Sequence, residues 1–366
     1  MHTRLNELGC YGLAGAPTSP RDLLDEITTA ESLGLGSVFL SERFNVKEVV
    51  TLSGAAGARS SDLGIATGVT NHNTRHPMVT ASFATTMHRL TGGRFALGLG
   101  RGVALLQNLY GLSKITSAQM EDFVGLMRRL WHGEMIFNHD GPAGTFPFLH
   151  LDSTFDEDIP VMLSAFGPNS LALAGRVFDG VILHTFFTDE TTARCVETVR
   201  RAAEEAGRDP ASVRIWSCYA TVGDHIDADL RLRKTVGRLS GYLQGYGDLM
   251  VETNGWDPAP LERFRADAVV GSIPGAIDGL ATTEQLEHIA TLIPEEWLEP
   301  AATGSAEQCA TAVSRQFDLG VDAVILHGAT PTELAPVVEA YRAVRPAGRF
   351  DRLPANPAAA LLPQPA

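Results

Sequence analysis

The sequence predicts a closed barrel of eight parallel β-strands ringed by helices, a (β/α)8 fold with a helical insertion between the seventh and eighth strands. Eight strand-like runs, nearly all followed by helices, carry that prediction, and two turns stand out along them. Short β-like runs alternate with segments of helical periodicity from one end of the chain to the other. One hydrophobic run ends in glycines wrapped around an arginine, Gly98-Leu99-Gly100-Arg101-Gly102. Another passes through Gly167-Pro168 into Asn169-Ser170, residues suited to open a helix. An open, doubly wound sheet is the alternative that the same alternation allows.

Each element follows from local pattern. Residues 9–13 form a first strand; Leu23, Leu24, Ile27, Ala30 and Leu33 then recur at helical spacing, and Gly34 stops that helix before a strand over 37–40. A helix over 47–59, a strand over 63–69, a helix over 77–90 and a strand over 95–99 come next. Met120, Phe123, Val124, Met127, Leu130 and Trp131 line one helical face. The strand from 161 leads into a helix over 171–178, then a strand over 179–184. Val196, Val199, Ala202, Ala203 and Ala206 mark another helix, ended by Gly207, and 213–222 is strand-like. Ser305-Ala306-Glu307-Gln308 has the form of a capping box, before a last strand over 321–327 and a helix over 332–344. Residues 1–344 are thus expected to form one barrel domain.

Three segments stand outside the repeat. Residues 138–158, rich in Gly, Pro, Phe and Asp, suggest a loop or small hairpin over the barrel mouth, and 224–303 are the helical insertion. Residues 345–366 are rich in proline and alanine without periodicity, the composition of a loosely attached tail.

The net charge of −14 argues against nucleic acid or an anionic membrane as partner, since both reward basic surfaces. Hydrophobic residues make up 44% of the chain, with 16 Phe and 4 Trp, enough for a large core. The four cysteines, Cys10, Cys195, Cys218 and Cys309, lack metal-ligand spacing and are expected to be reduced, mostly buried small residues. No run approaches the ~18 apolar residues of a membrane span and the first residues carry no apolar signal core, so a cytoplasmic protein is expected.

In a barrel the residues just past each strand are the chemical candidates. These are Ser41, Glu42, Arg43 and Phe44; Thr70, Asn71 and His72; Arg101 and Gly102; Phe166 and Gly167; His184 and Thr185; His327 and Gly328. Glycine lets backbone N–H groups approach an anion, arginine adds a forked, permanently charged donor, and a helix opened by Asn169 and Ser170 presents free N–H groups. Two such turns suggest one shared phosphate-bearing ligand. Histidines at strand ends can exchange protons near neutral pH. His72, His76, His184 and His327 have no carboxylate cluster, His-Glu-x-x-His pattern or paired cysteines beside them, so no metal is expected. No Gly-x-Ser-x-Gly elbow marks a nucleophilic serine.

With these turns in place, the chain resembles the bacterial luciferase-like superfamily, in particular its branch dependent on the deazaflavin coenzyme F420. The likeness runs from about residue 9 to 344. It rests on Ala30-Glu31-Ser32-Leu33-Gly34 leading to Ser37-Val38-Phe39-Leu40-Ser41-Glu42, on Thr67-Gly68-Val69-Thr70 with Arg75-His76-Pro77, and on Gly93-Arg94-Phe95 through Gly102. Leu130-Trp131-His132-Gly133-Glu134 and Ala174-Gly175-Arg176 with Asp179-Gly180 complete it. The resemblance implies a TIM barrel binding F420, or alternatively FMN, at its C-terminal mouth. It implies that Arg101, Gly102, Gly167, Asn169 and Ser170 hold the cofactor phosphate, and it places a non-prolyl cis peptide at Gly68-Val69. Thr70, Phe166 and His184 join them as cofactor-binding candidates.

The sequence departs from the family in two places. Where many relatives carry a histidine after the acidic residue that ends the second strand, this chain has Ser41-Glu42-Arg43-Phe44. Sugar-phosphate-oxidising relatives place a glutamate where Val103 stands, so their acid–base pair does not carry over. The catalytic candidates are therefore Glu42, for proton transfer, Arg43, to position an anionic or carbonyl substrate, and His184. The expected function is hydride transfer between an organic substrate and the deazaflavin. Phe44, Leu105, Leu106, Phe166, Phe186 and Phe187 suggest an apolar substrate. An FMN-dependent monooxygenase is the alternative within the fold, a non-catalytic flavin-binding barrel the alternative outside enzymology, and a homodimer the expected assembly.

Overall fold

The computed structural model describes residues 3–15, 17–43 and 47–362, apart from the side chain of Leu105. Its strands in chain order are β1 (Leu5–Tyr11), β2 (Leu35–Leu40), β3 (Gly64–Thr67), β4 (Phe95–Leu99), β5 (Ile136–Gly141), β6 (Gly144–Leu149), β7 (Val161–Ser164), β8 (Gly180–Ile182), β9 (Arg214–Gly223), β10 (Ala301–Gly304) and β11 (Ala323–His327). All but β5 and β6 belong to one parallel sheet. It runs β1-β2-β3-β4-β7-β8-β9-β11 and closes where β11 pairs with β1. Eight strands form the barrel, as the alternation of elements predicted. The first begins earlier than expected, at Leu5, because Leu5 and Leu8 are fully buried beneath the helices.

Strands β2, β4 and β9 are buried along their whole length, as a parallel sheet wrapped by helices requires. The lumen is filled by large residues set against small ones: Phe39, Met162 and Trp216 pack with Ala66, Ala96 and Ala323, the rings of Phe39 and Trp216 meeting edge-on at 4.9 Å. The helices start where capping chemistry directs. Thr116 and Gln119 form a capping box for Ser117–Trp131, whose buried face includes the six residues read from periodicity, and Ser305 with Gln308 does the same for Ala306–Asp318.

The insertion has its own core of Leu239, Leu243, Met250, Phe264, Ile277, Leu286, Ile289 and Trp297. It also contains β10, absent from the sequence reading, which pairs with the last four residues of the long β9. The hairpin β5–β6 overlaps the expected segment, starting two residues before it at Ile136, but it packs on helix Ser117–Trp131 through Asp122, which accepts from His139 and from the Ala143 amide. None of its residues lines the barrel mouth.

The tail corrects the sequence reading more strongly. Residues 350–359 are not loosely attached; they stopper the N-terminal end of the barrel. Asn356 donates to the carbonyls of Gly93 and Phe95, both at 2.8 Å, and accepts from the amides of Ala358 and Ala359. The Trp216 indole donates to Pro357 O at 2.7 Å, and the buried Arg214 guanidinium donates to the carbonyls of Pro354, Asn356 and Asn6. Ala358 is fully buried within the lumen core.

Candidate active site

A cavity of about 1330 Å³ opens at the C-terminal ends of the barrel strands, roofed by the insertion helix Arg238–Asn254. Turns after most of the barrel strands contribute to its wall. At its floor the peptide between Gly68 and Val69 is cis, as the resemblance implied. The strand bulges there, held by Gly68 N–H to Leu40 O at 2.7 Å, Glu42 N–H to Val69 O at 3.0 Å and Gly100 N–H to Thr70 O at 2.9 Å. Gly98 in β4 and Gly100 just past its end make room for it. A Cβ on Gly98 would stand 1.9 Å from Thr67 O, and one on Gly100 2.3 Å from Val69 Cγ2.

Beside the bulge, the two anion-ready turns share one wall. Arg101, Gly102, Gly167, Asn169 and Ser170 all line the cavity. Gly102 has φ +69°, a conformation that favours glycine. Arg101 Nη2 donates to Ser117 Oγ at 2.7 Å while its Nε is buried without a partner among the described residues, and burial lowers the guanidinium's pKa. This is a donor set short of an acceptor. Helix Pro168–Val177 opens differently from expectation: Gly167 is the N-cap, and neither Asn169 nor Ser170 caps it by side chain. The Ser170 hydroxyl instead braces the turn, accepting from Phe166 N–H at 3.1 Å and donating to Gly167 O at 2.8 Å. With Pro168 at the first helical position, the Asn169 amide is the first N–H at the helix start.

Glu42 lies at the rim but its carboxylate is committed. It accepts from Arg75 Nη2 at 2.7 Å, from Thr70 Oγ1 at 3.1 Å and from Val49 N–H at 3.3 Å, with a side chain 4% exposed. Thr70 is correspondingly turned away from the cavity into this network. Arg43, by contrast, is exposed and lines the cavity, and its guanidinium forms no hydrogen bond or ion pair among the described residues.

His184 sits among Phe166, Tyr242 and Tyr246, with ring centroids 4.5, 4.6 and 5.1 Å away. Its Nδ1 lies 3.0 Å from Thr185 O, an atom that only accepts, so Nδ1 carries the proton and Nε2 accepts from the Tyr246 hydroxyl at 3.0 Å. Burial pushes the imidazole down to about 4 against the pull of the Thr185 carbonyl. The ring is neutral at ordinary pH. His327 stands across from it, edge-on to Tyr11 at 5.4 Å and 3.3 Å from the Tyr242 hydroxyl, and burial among Arg238, His184, Arg43 and Lys47 pushes it well below the usual range. Sequence reasoning missed Tyr11, Tyr242, Tyr246 and Arg238. The one available signal was Tyr242 and Tyr246 four apart on a helix, hence on one face.

The four histidines do not converge. His72 packs on Phe123 at 5.3 Å and His76 accepts the Met78 N–H at the start of helix Pro77–Leu90; both line a separate groove of about 430 Å³ on the barrel flank. Among the described residues no three potential ligands are grouped to hold a metal ion. All four cysteines are free and buried. Of the apolar candidates, Phe166 and Leu106 line the cavity, while Phe186 and Phe187 are buried in the cores instead. Phe44 and the Leu105 side chain lie outside the described residues. No helix among those residues is long and apolar enough to cross a membrane.

A closed barrel with a bulged third strand and a large cavity at its mouth, on one wall of which two donor-rich turns lie, has the form of a (β/α)8 enzyme. The chain belongs to the luciferase-like monooxygenase family, whose profile matches residues 4–323. It is 24% identical over 321 residues to a 5,10-methylenetetrahydromethanopterin reductase of Methanolobus tindarius, covering 86% of this chain and 93% of that one. Among solved structures it is similar to a coenzyme F420-dependent tetrahydromethanopterin reductase from Methanopyrus kandleri, with a TM-score of 0.77 at 19% identity over 92% of this chain and 99% of that one. It also superposes on an F420-dependent secondary alcohol dehydrogenase in complex with an F420-acetone adduct, with a TM-score of 0.70 at 20% identity over 94% of this chain and all of the other.

Proposed function

We propose that this chain is an oxidoreductase that transfers a hydride between an organic substrate and coenzyme F420 held at the barrel mouth. The observation that carries the proposal is the convergence of Arg101-Gly102 and Gly167-Ser170 on one wall of a single cavity, beside the Gly68-Val69 bulge. The names of the two similar solved structures, both F420-dependent, support the choice of cofactor.

The residues present fit such a group. The Arg101 guanidinium and the amides of Gly102 and Asn169 are suited to a phosphate, and Gly167 keeps that wall open, since a Cβ there would meet only Leu249, at 3.9 Å. Gly68 and Val69 offer a backbone surface to a flat ring, and Phe166 and His184 line the same cavity. When bound, the deazaflavin supplies the hydride acceptor or donor. The protein's part is to hold, orient and exclude water. Arg43 orients the substrate. Glu42 acts through Arg75 and Thr70 on the shape of the mouth rather than by exchanging protons, because its oxygens already carry three donors. His184, with both nitrogens bonded, is a wall residue that contacts the ring.

The test is a binding titration of the purified protein with F420 and with FMN, run beside Arg101→Ala. Micromolar or tighter F420 binding, weakened about tenfold or more in the variant, is the expected result. Preferential FMN binding would move the assignment to a flavin-dependent monooxygenase, and binding of neither would remove the cofactor assignment.

A further inference from the structure

We propose that the mouth contains a second anion subsite, centred on Arg43 and apart from the phosphate turns, which holds a carboxylate on the substrate. The assignment deepens the proposed oxidoreductase function by naming the substrate's class: an aryl or alkyl carboxylate.

The first argument is the distribution of charge. The chain as a whole carries −14, yet the described side chains lining the cavity include five cations, Arg43, Lys47, Arg101, Arg194 and Arg238, and only two carboxylates, Glu42 and Glu252. An acidic protein that gathers positive charge in one pocket has a pocket for anions.

The cations fall on different sides of the bulge. Arg101 follows β4, next to the Gly167 turn that follows β7. Arg43 follows β2, on the other side of β3, and its neighbours come from β1, β11 and the insertion. Lys47 and Arg238 are close enough that their charges and that of Arg43 act on one another: burial, then Arg43 and Arg238, push the Lys47 ammonium down to about 8. The charge of Arg43 also reaches the Tyr11, Tyr242 and Tyr246 hydroxyls and the His327 ring.

The carboxylates nearby are already engaged. Asp278 pairs with Arg238 at 2.7 Å, Glu26 accepts from Leu13 N–H at 2.6 Å, and Glu42 is held by Arg75 and its other donors. Arg43 is the cation left with no anion or acceptor among the described residues. A guanidinium fork matches a carboxylate through two parallel hydrogen bonds, and a bound anion would relieve the repulsion among three neighbouring cations. Tyr11, Tyr246 and Phe166 provide aromatic faces for an apolar body attached to that carboxylate.

The test measures binding of benzoate and octanoate, with benzamide as the uncharged counterpart, to the full-length protein by calorimetry. Wild type is compared with Arg43→Gln, Arg43→Lys and Arg101→Ala. Benzoate should bind at least about tenfold tighter than benzamide, lose about tenfold in Arg43→Gln, recover in part in Arg43→Lys and be unchanged in Arg101→Ala. Arg43 is exposed, so its variants should keep the wild-type melting temperature. Equal binding of benzoate and benzamide, or no binding of either carboxylate, would overturn the proposal. So would loss in Arg101→Ala but not in Arg43→Gln, which would put the carboxylate in the phosphate turns, or competitive displacement of benzoate by F420, which would give the Arg43 cluster to the cofactor. Benzoate binding through Arg43 in a protein that binds neither F420 nor FMN would leave the subsite standing and remove only the cofactor assignment.

Discussion

The Tyr246 hydroxyl and Nε2 of His184 meet at 3.0 Å, tying the insertion helix to the end of a barrel strand. Since Nδ1 of the same ring donates to Thr185 O, one nitrogen gives and the other receives, and the imidazole has nothing left to offer a substrate. Removing the hydroxyl strands a buried acceptor. Tyr246→Phe should therefore lower stability by about 1–3 kcal/mol in urea unfolding. A change of under roughly 0.5 kcal/mol would mean that the bond contributes nothing.

The neutrality of His184 makes stability depend on pH in a defined direction. Its folded-state pKa is held at about 4, below the ordinary 6.5. As pH falls through about 6.5 the unfolded chain takes up a proton that the folded site refuses until about 4, so the contribution of this site is complete above that window and lost on acidification across it. For a single site the loss amounts to roughly 3 kcal/mol. The urea midpoint should fall between pH 6.5 and 4, and His184→Gln should flatten that fall. An identical pH slope in the variant would count against the depressed pKa.

Arg75 and Glu42 make a largely buried ion pair, with side chains 18% and 4% exposed. Arg75→Leu leaves the carboxylate buried and uncompensated and should cost about 3–5 kcal/mol. Glu42→Gln keeps an acceptor for Arg75 and Thr70, and should cost only about 1–2 kcal/mol while leaving F420 affinity within about threefold. A complete loss of turnover in a folded Glu42→Gln protein that still binds F420 would restore Glu42 as a proton-transfer residue.

Asn356 makes four hydrogen bonds at the end of the barrel opposite the mouth. Asn356→Ala should cost about 3 kcal/mol or more, since it strands the Gly93 and Phe95 carbonyls at the foot of β4. Cofactor affinity should not change. A loss of affinity equal to that of Arg101→Ala would show that the two ends of the barrel are coupled.

The fold was legible because barrel strands announce themselves as short apolar runs, and Gly98 marks where one strand's backbone must approach another's, at Thr67 O. β10 was not, because Ala301-Ala302-Thr303-Gly304 carries no strand-forming pattern and pairs only because β9 outruns its neighbours. The tail was misjudged for a related reason. Proline and alanine suggest disorder, but Asn356 and Ala358 are fixed by acceptors and space that belong to β4 and the lumen. At the site, the strand-end rule found Arg43, His184 and the anion turns, and the family resemblance supplied the floor at Gly68-Val69. Neither found the roof, since Tyr242, Tyr246 and Arg238 reach the mouth only through the packing of the insertion, a long-range arrangement that no local pattern encodes.

The stopper also bears on how the molecule is made. Arg214, near the middle of the chain, binds the carbonyls of Asn6 at one end and of Pro354 and Asn356 near the other, and Asn6 in turn donates to Leu353 O. The barrel cannot close until β11 reaches β1, and its lumen stays open at the foot until residue 358 has been synthesised. Helical hairpins along the growing chain can form early, but the mouth that depends on a closed ring of strands is completed only after β11 has left the ribosome and reached β1.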